Sequence, residues 1–140
     1  MNAIVTEARR WIGTPYVHQG SLCGAGSDCL GLIRGIYRAT LGAEPEAVPP
    51  YAPDWADTAG GEVLLKAAPR WLVRLPDGPA DPGNVLMFRM RDRGTVRHLG
   101  IFCGHDRFIH AYSGHGVTES PLSTPWTRRI AARFAFPERI

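Results

Sequence analysis

The chain has 140 residues, 44% of them hydrophobic and 21% charged, which fits one globular domain and excludes wholesale disorder. Its net charge of +3 comes from 16 basic and 13 acidic residues, too small a surplus to point to nucleic acid. No apolar run approaches the roughly 20 residues of a membrane-crossing helix, and the first ten residues, with Arg9 and Arg10 behind the apolar positions, do not read as a secretory signal.

Residues 3–12 place Ile4, Val5, Ala8, Trp11 and Ile12 at helical spacing, ending at Gly13 and Pro15. The following stretch, residues 13–27, is rich in glycine and predicts a loop lying close to something else. Asp28 is then a good N-cap, and Leu30, Ile33, Ile36, Tyr37 and Leu41 recur at helical spacing up to Gly42. This second helix is apolar on most of its surface and carries Gly31 and Gly35 one turn apart. Both glycines cost helix propensity, so close packing of another element against them is expected.

Residues 43–60 are irregular and stiffened by Pro45, Pro49, Pro50 and Pro53, with Tyr51 and Trp55 among them. A short helix over 61–68 and a piece of strand or turn over 71–75 complete an insert at about 43–80. Beyond Pro82-Gly83 the chain turns β, with strands over 84–90, 98–103 and 107–112 and a shorter one over 116–119. Thr124-Pro125 opens a short helix, and Arg133 to Phe136 forms a closing strand. Helices first and an antiparallel meander afterwards predict one α+β domain over 1–140.

The sharpest chemical feature is Cys29, directly after the N-cap Asp28. A thiolate is the reactive form of cysteine, and a helix N-terminus lowers the thiol pKa. A cysteine nucleophile also needs a histidine base and a group that orients it. His98 and His110 lie twelve residues apart on consecutive strands joined by a tight turn at Gly104-His105-Asp106. Strand parity puts His98, Gly100 and Phe102 on one face and Phe108, His110 and Tyr112 on one face. If both faces belong to the same side of the sheet, the two imidazoles point together toward the central helix and Cys29.

The stretches Gly13-Thr14-Pro15-Tyr16, Ser27-Asp28-Cys29-Leu30-Gly31-Leu32, Pro82 to Phe88, His98-Leu99-Gly100-Ile101 and Phe108-Ile109-His110-Ala111 resemble the NlpC/P60 cysteine peptidases. The resemblance implies a papain-like domain, its central helix carrying the nucleophile and packed on an antiparallel sheet. It implies Cys29 as nucleophile, His98 as base, His110 as third polar residue and Tyr16 near the oxyanion. The implied reaction is hydrolysis of an amide in peptidoglycan stem peptides, commonly between γ-D-glutamate and diaminopimelate, with no cofactor. Pro49 to Trp55 and the lack of a signal further resemble the phage-type branch, in particular the peptidases of gene transfer agents. That likeness implies phage-like tail or baseplate partners, synthesis in the cytoplasm without export, and action at the target cell's wall. The alternatives are a structural tail-tip component that does not need hydrolysis, and an amidase or acyltransferase of the same superfamily.

Two positions depart from the family pattern, Leu30 in place of serine and His18 in place of tryptophan. Leu30 is expected to affect packing, whereas His18 is either a substrate contact or a solvated loop residue. Of the remaining cysteines, Cys23 reads as a loop thiol or a redox partner of Cys29, and Cys103 as core. His105 and His115 read as turn residues. Arg89, Arg91, Arg93 and Arg97 read as the outward face and turn of a hairpin, or as a contact for an anionic polymer. Tyr51, Trp55 and Trp71 read as core of the insert or a docking surface. No CxxC or HxxxH spacing suggests a metal site, and neither nucleic acid nor membrane insertion is expected.

Overall fold

A computed structural model of the chain describes residues 2–51, 62–91 and 94–138. The expectations for Pro53, Trp55 and Arg93 fall outside these residues. Helix α1 (Ala3–Arg10) is capped by Asn2, whose side chain accepts from the N–H groups of Ile4 and Val5. Two short strands, β1 (Ser21–Leu22) and β2 (Gly26–Ser27), follow, and then α2 (Cys29–Thr40). After the insert's start come α3 (Val63–Ala67), a 3₁₀ turn (Ala68–Arg70) and β3 (Val73–Leu75). The rest is β4 (Val85–Arg89), β5 (Val96–Gly104), β6 (Arg107–Tyr112), β7 (Gly116–Pro121), α4 (Thr124–Arg128) and β8 (Ile130–Ala135).

Six strands form one antiparallel sheet in the order β3-β8-β4-β5-β6-β7. Of the two readings for 71–75, the strand is the one formed: β3 pairs with β8 and becomes an edge strand. One face of the sheet, through Val85, Met87, Leu99, Ile101, Ile109 and Phe134, packs against Ala8 and Trp11 of the first helical segment and Leu32, Ile33 and Ile36 of α2. The other face holds a smaller cluster of Leu86, Phe88, Phe102 and Phe108, covered by Trp126 of α4 and by Leu122. The alternation along each strand assigns successive side chains to these two clusters.

The glycines of α2 mark the two closest approaches to it. A Cβ on Gly35 would lie 2.1 Å from the Trp11 ring, so the indole of the first helix rests directly on the α2 backbone. A Cβ on Gly31 would lie 1.7 Å from the Gly20 carbonyl oxygen. The glycine-rich loop thus lies on the first turn of α2, and the Asp28 N–H donates back to Gly20 O at 3.2 Å. Ser21 Oγ adds a bond to Gly31 O at 2.7 Å. This contact carries Tyr16, His18 and Gln19 to the start of the helix.

Candidate active site

Asp28 begins the site. One carboxylate oxygen accepts from Gly31 N–H at 2.7 Å, capping α2. The other accepts from Gln19 N–H at 2.8 Å and from the Tyr51 hydroxyl, with His18 Nδ1 3.9 Å away. His18 and Gln19 in turn bond the Tyr51 carbonyl, at 2.5 and 2.7 Å, and the His18 ring stands edge-on to the Tyr51 ring. His18 is therefore neither simply solvated nor simply open to a ligand; it ties the loop to the proline-rich segment. Tyr51, read from sequence as core or docking surface, is anchored on the carboxylate next to Cys29. Burial and that hydrogen bond push its phenol above the usual range.

Cys29 is the first residue of α2, and its sulfur meets the backbone of β5. Phe102 turns its N–H to Asn84 on the β4 side, so Ile101 and Leu99 present theirs to the β6 side. Pairing with β6 reaches only Ile101↔Ile109 toward the start of β5. Cys29 Sγ sits beyond that point, 4.0 Å from the Arg97 carbonyl and close to the Leu99 N–H. Arg97 is also the extra residue of a bulge, because Phe88 pairs with His98 while Arg89 pairs with Val96. Bulges commonly re-aim a neighbouring side chain at active sites.

His98 and His110 are brought together, with His98 Nε2 2.7 Å from His110 Nδ1. Gly100 makes this contact accessible: a side chain there would run into Phe108 at 2.8 Å and His110 Cβ at 3.3 Å. The shared face is the one with Phe88 and Phe108, not the one covered by α2, so the imidazoles do not point into the helix-side core. Strand parity relates the two histidines to each other but does not say which side of the sheet the helix covers. The thiol lies instead against the β5 backbone at Arg97 and Leu99, the two residues that flank His98. Among the described residues no hydrogen bond joins Cys29 Sγ to His98, and His98 Nδ1 has no partner.

The two imidazoles are enclosed, His98 being 7% and His110 1% exposed. Trp126 lies 5.5 Å from the His98 ring and 5.3 Å from the His110 ring, centroid to centroid. Burial, then the neighbouring His110 and Arg97, pushes the His98 pKa down to about 3. Burial, then His115, pushes His110 down to about 4. For Cys29 the helix-terminus expectation is overturned. Burial and the adjacent Asp28 carboxylate push the thiol up to about 12, outweighing the N–H groups of Leu99, Leu30 and Cys29 itself. Tyr16, partly exposed, is pushed up to about 12 by burial, Cys29 and Asp28, which places its hydroxyl in the field of the sulfur.

A comparison with family models matches residues 13–134 to the NlpC/P60 family. The chain belongs to the NlpC/P60 family. It is 35% identical over 122 residues to a gamma-DL-glutamyl hydrolase of Bacillus subtilis (strain 168), covering 86% of this chain and 25% of that protein. It is 28% identical over 128 residues to the murein DD-endopeptidase MepS/murein LD-carboxypeptidase of Escherichia coli (strain K12), covering 90% of this chain and 57% of that protein. The chain thus spans a quarter and somewhat over half of these two relatives. The NlpC/p60 domain of the peptidoglycan hydrolase SagA shares the fold, with a TM-score of 0.61 at 23% identity, covering 97% of this chain and all of that one. An NlpC/P60 family protein from Bacillus cereus ATCC 10987 does so with a TM-score of 0.67 at 21% identity, covering 97% and 40%. The fold is therefore the α+β arrangement of this family, with helices on an antiparallel sheet.

Within this NlpC/P60 domain the other sequence candidates sort by contact. Cys103 is buried and its thiol donates to the Arg107 carbonyl, while Cys23 is exposed and donates to the Arg10 carbonyl. Arg89 is ion-paired with Glu62. His105 sits in a turn with φ of +53°, and His115 stacks on Tyr112. Leu30 lines an apolar cavity of about 540 Å³ with Ile33, Trp71, Pro50 and Tyr51, beside the first turn of α2 but without Cys29 or His98 in its wall. Among the described residues no cluster of three His, Cys, Asp or Glu could hold a metal, and no helix is long and apolar enough to cross a membrane. Sequence reasoning missed Ser120, whose Oγ lies 2.9 Å from His110 Nε2, and the role of Trp126. Ser120 becomes visible only once the β6–β7 register, His110↔Thr118 and Phe108↔Ser120, is known.

Proposed function

We propose that this chain is a cysteine peptidase of the cell wall that hydrolyses an amide bond in a peptidoglycan stem peptide. The observation that carries the reading is one constellation: a thiol at the start of a buried helix lies against the β5 backbone that flanks His98. The far nitrogen of that imidazole is occupied by His110, while its Nδ1 is left unpartnered. The names of two relatives, a gamma-DL-glutamyl hydrolase and a murein endopeptidase, support a stem-peptide substrate. The γ-D-glutamyl–diaminopimelate bond is the one we favour.

In this reading Cys29, His98 and His110 are the catalytic group. Thiol and imidazole both rest neutral, because each is pushed away from its charged form. The S–H proton therefore passes to His98 Nδ1 as the sulfur swings from the Arg97 carbonyl to attack the amide carbon; such bonds often tighten only when substrate binds. The C–S bond forms and the carbonyl π pair moves to oxygen, held by the Cys29 N–H and the Tyr16 hydroxyl. Protonated His98 gives its proton to the leaving nitrogen as the C–N bond breaks. Water, deprotonated by His98, then cleaves the thioester and the thiol recovers its proton.

The test is digestion of purified sacculi followed by mass spectrometry of the released muropeptides. Wild-type protein is expected to release fragments ending at γ-D-glutamate, and Cys29→Ala none. Equal release by Cys29→Ala would overturn the mechanism, and fragments cut at another bond would replace the favoured substrate. Carriage on a phage-like or gene-transfer-agent tail is the outer part of the same proposal, supported by the likeness of the segment from Pro49 onward. Its test is detection of this chain in purified particles and loss of wall penetration by particles carrying Cys29→Ala.

A further inference from the structure

We infer that Ser120 is a positioning residue that keeps His98 in the tautomer with a bare Nδ1, and accepts the far end of the hydrogen-bond chain when His98 becomes charged. The inference deepens the peptidase reading and rests on it. It starts from two distances, His98 Nε2 to His110 Nδ1 at 2.7 Å and His110 Nε2 to Ser120 Oγ at 2.9 Å.

Each neutral imidazole carries one N–H, so the contacts admit two proton arrangements. In one, His98 Nε2–H donates to His110 Nδ1, and His110 Nε2–H donates to Ser120 Oγ. That leaves His98 Nδ1 bare and able to take the Cys29 proton. In the other, the Ser120 hydroxyl donates to His110 Nε2, and His110 Nδ1–H donates to His98 Nε2. His98 then already carries its proton on Nδ1 and has no base to offer.

A hydroxyl can accept from His110 only if its own proton has somewhere to go. Ser120 lies on β7, the outer strand of the sheet, and is partly exposed, so water can receive that proton. Its partner His110 is 1% exposed and has no such outlet. The choice therefore lies with Ser120.

The charged state removes the choice. When His98 holds protons on both nitrogens, His110 must accept at Nδ1 and must therefore donate from Nε2. The acceptor in place is Ser120 Oγ. In Ser120→Ala that N–H would be left without its partner in a closed aromatic surround of Phe108, Trp126 and Tyr112. An unpaired buried donor is costly, and here the cost falls on the step that charges His98 rather than on substrate binding.

Two measurements test this. In steady-state kinetics on stem peptides, Ser120→Ala is expected to lower kcat by about ten- to a hundredfold with KM unchanged. Ser120→Thr, which keeps the hydroxyl on a strand-compatible side chain, is expected to recover most of the rate. In nitrogen NMR of ¹⁵N-histidine-labelled Cys29→Ala protein, His98 and His110 are both expected to carry their proton on Nε2. Adding Ser120→Ala is expected to mix the tautomers. An unchanged kcat in Ser120→Ala, or a resting His98 protonated on Nδ1, would overturn the inference. The NMR measurement needs no substrate and no thiol, so its failure is distinct from failure of the peptidase reading, which an active Cys29→Ala would signal.

Discussion

The two halves of the site are held in place by different physics. On the Cys29 side, hydrogen bonds do the holding: Asp28 to Gly31, Gln19 and Tyr51, and the loop to α2 through Gly20 and Ser21. On the imidazole side, His98 and His110 share one short hydrogen bond, His110 bonds Ser120 beyond it, and both rings are otherwise enclosed by Phe88, Phe108 and Trp126. Hydrogen bonds fix a direction, whereas aromatic burial fixes a protonation state. In the proposed reading the first half aims the thiol, and the second keeps the imidazole neutral until a proton is offered. Both push their groups away from the charged forms, so in the proposed reaction the thiolate is confined to the moment of attack.

The strongest way to break this division is to remove the base while keeping its volume. His98→Gln is expected to lower turnover by about a thousandfold or more, the range seen when a general base is lost from a nucleophile–base pair. Its near-ultraviolet circular dichroism should stay close to wild type, because glutamine can still bond His110. Retention of more than a tenth of the wild-type rate would show that His98 is not the base.

The two glycines of α2 sharpen the comparison on the nucleophile side. Gly31→Ala and Gly35→Ala each force a Cβ into a neighbour, Gly20 O at 1.7 Å or the Trp11 ring at 2.1 Å. Both are expected to destabilise by about 1–3 kcal/mol, the usual cost of overpacking, measured by denaturant unfolding. Their effects on activity should differ. Gly31→Ala displaces the carbonyl that receives the Asp28 N–H and so moves the cap, the loop and Tyr16. Gly35→Ala moves an indole two turns from the thiol. Under conditions where both are folded, Gly31→Ala should lose most of its activity and Gly35→Ala little. Equal activity would mean that the Gly20 contact does not aim the nucleophile.

What the sequence made legible follows the range of the interactions involved. The α2 helix, its cap and the position of Cys29 depend on residues within one turn, and Asp28 followed by apolar spacing was enough. Gly31 and Gly35 announced close packing because nothing local rewards glycine in a helix. The pairing of His98 with His110 was legible as parity along two consecutive strands. Which face they occupy was not, since that depends on which side of the sheet α2 covers. The raised thiol was not legible for a similar reason. The helix terminus acts locally in favour of thiolate, but burial against β5, 68 residues away along the chain, and the Asp28 charge outweigh it. Strand β3 was ambiguous because Val73 and Arg74 are exposed and carry no alternation. Strands β1 and β2, two residues each, leave no period to read.

The smallest expected effect concerns pH and separates the two halves by sign. Burial pushes His98 and His110 down to about 3 and about 4 when folded, below the ordinary 6.5 of a histidine. Between those values and 6.5 the unfolded chain binds more protons, so stability is fully present above about 6.5 and is lost as pH falls. Cys29 has the opposite sign. Its raised pKa of about 12 means the folded state keeps a proton that the unfolded chain gives up from about 9, the ordinary thiol value, so stability is lost as pH rises past that point. Each buried imidazole should contribute at most about 1.4 kcal/mol per pH unit on the acid side. Denaturant midpoints taken from pH 7 down to 5 should therefore fall more steeply for wild type than for His98→Gln. From pH 9 to 10.5 they should fall more steeply for wild type than for Cys29→Ala. Parallel acid slopes in wild type and His98→Gln would mean that the aromatic enclosure does not hold His98 neutral. The resting state would then be free to form the imidazolium–thiolate pair that this geometry disfavours.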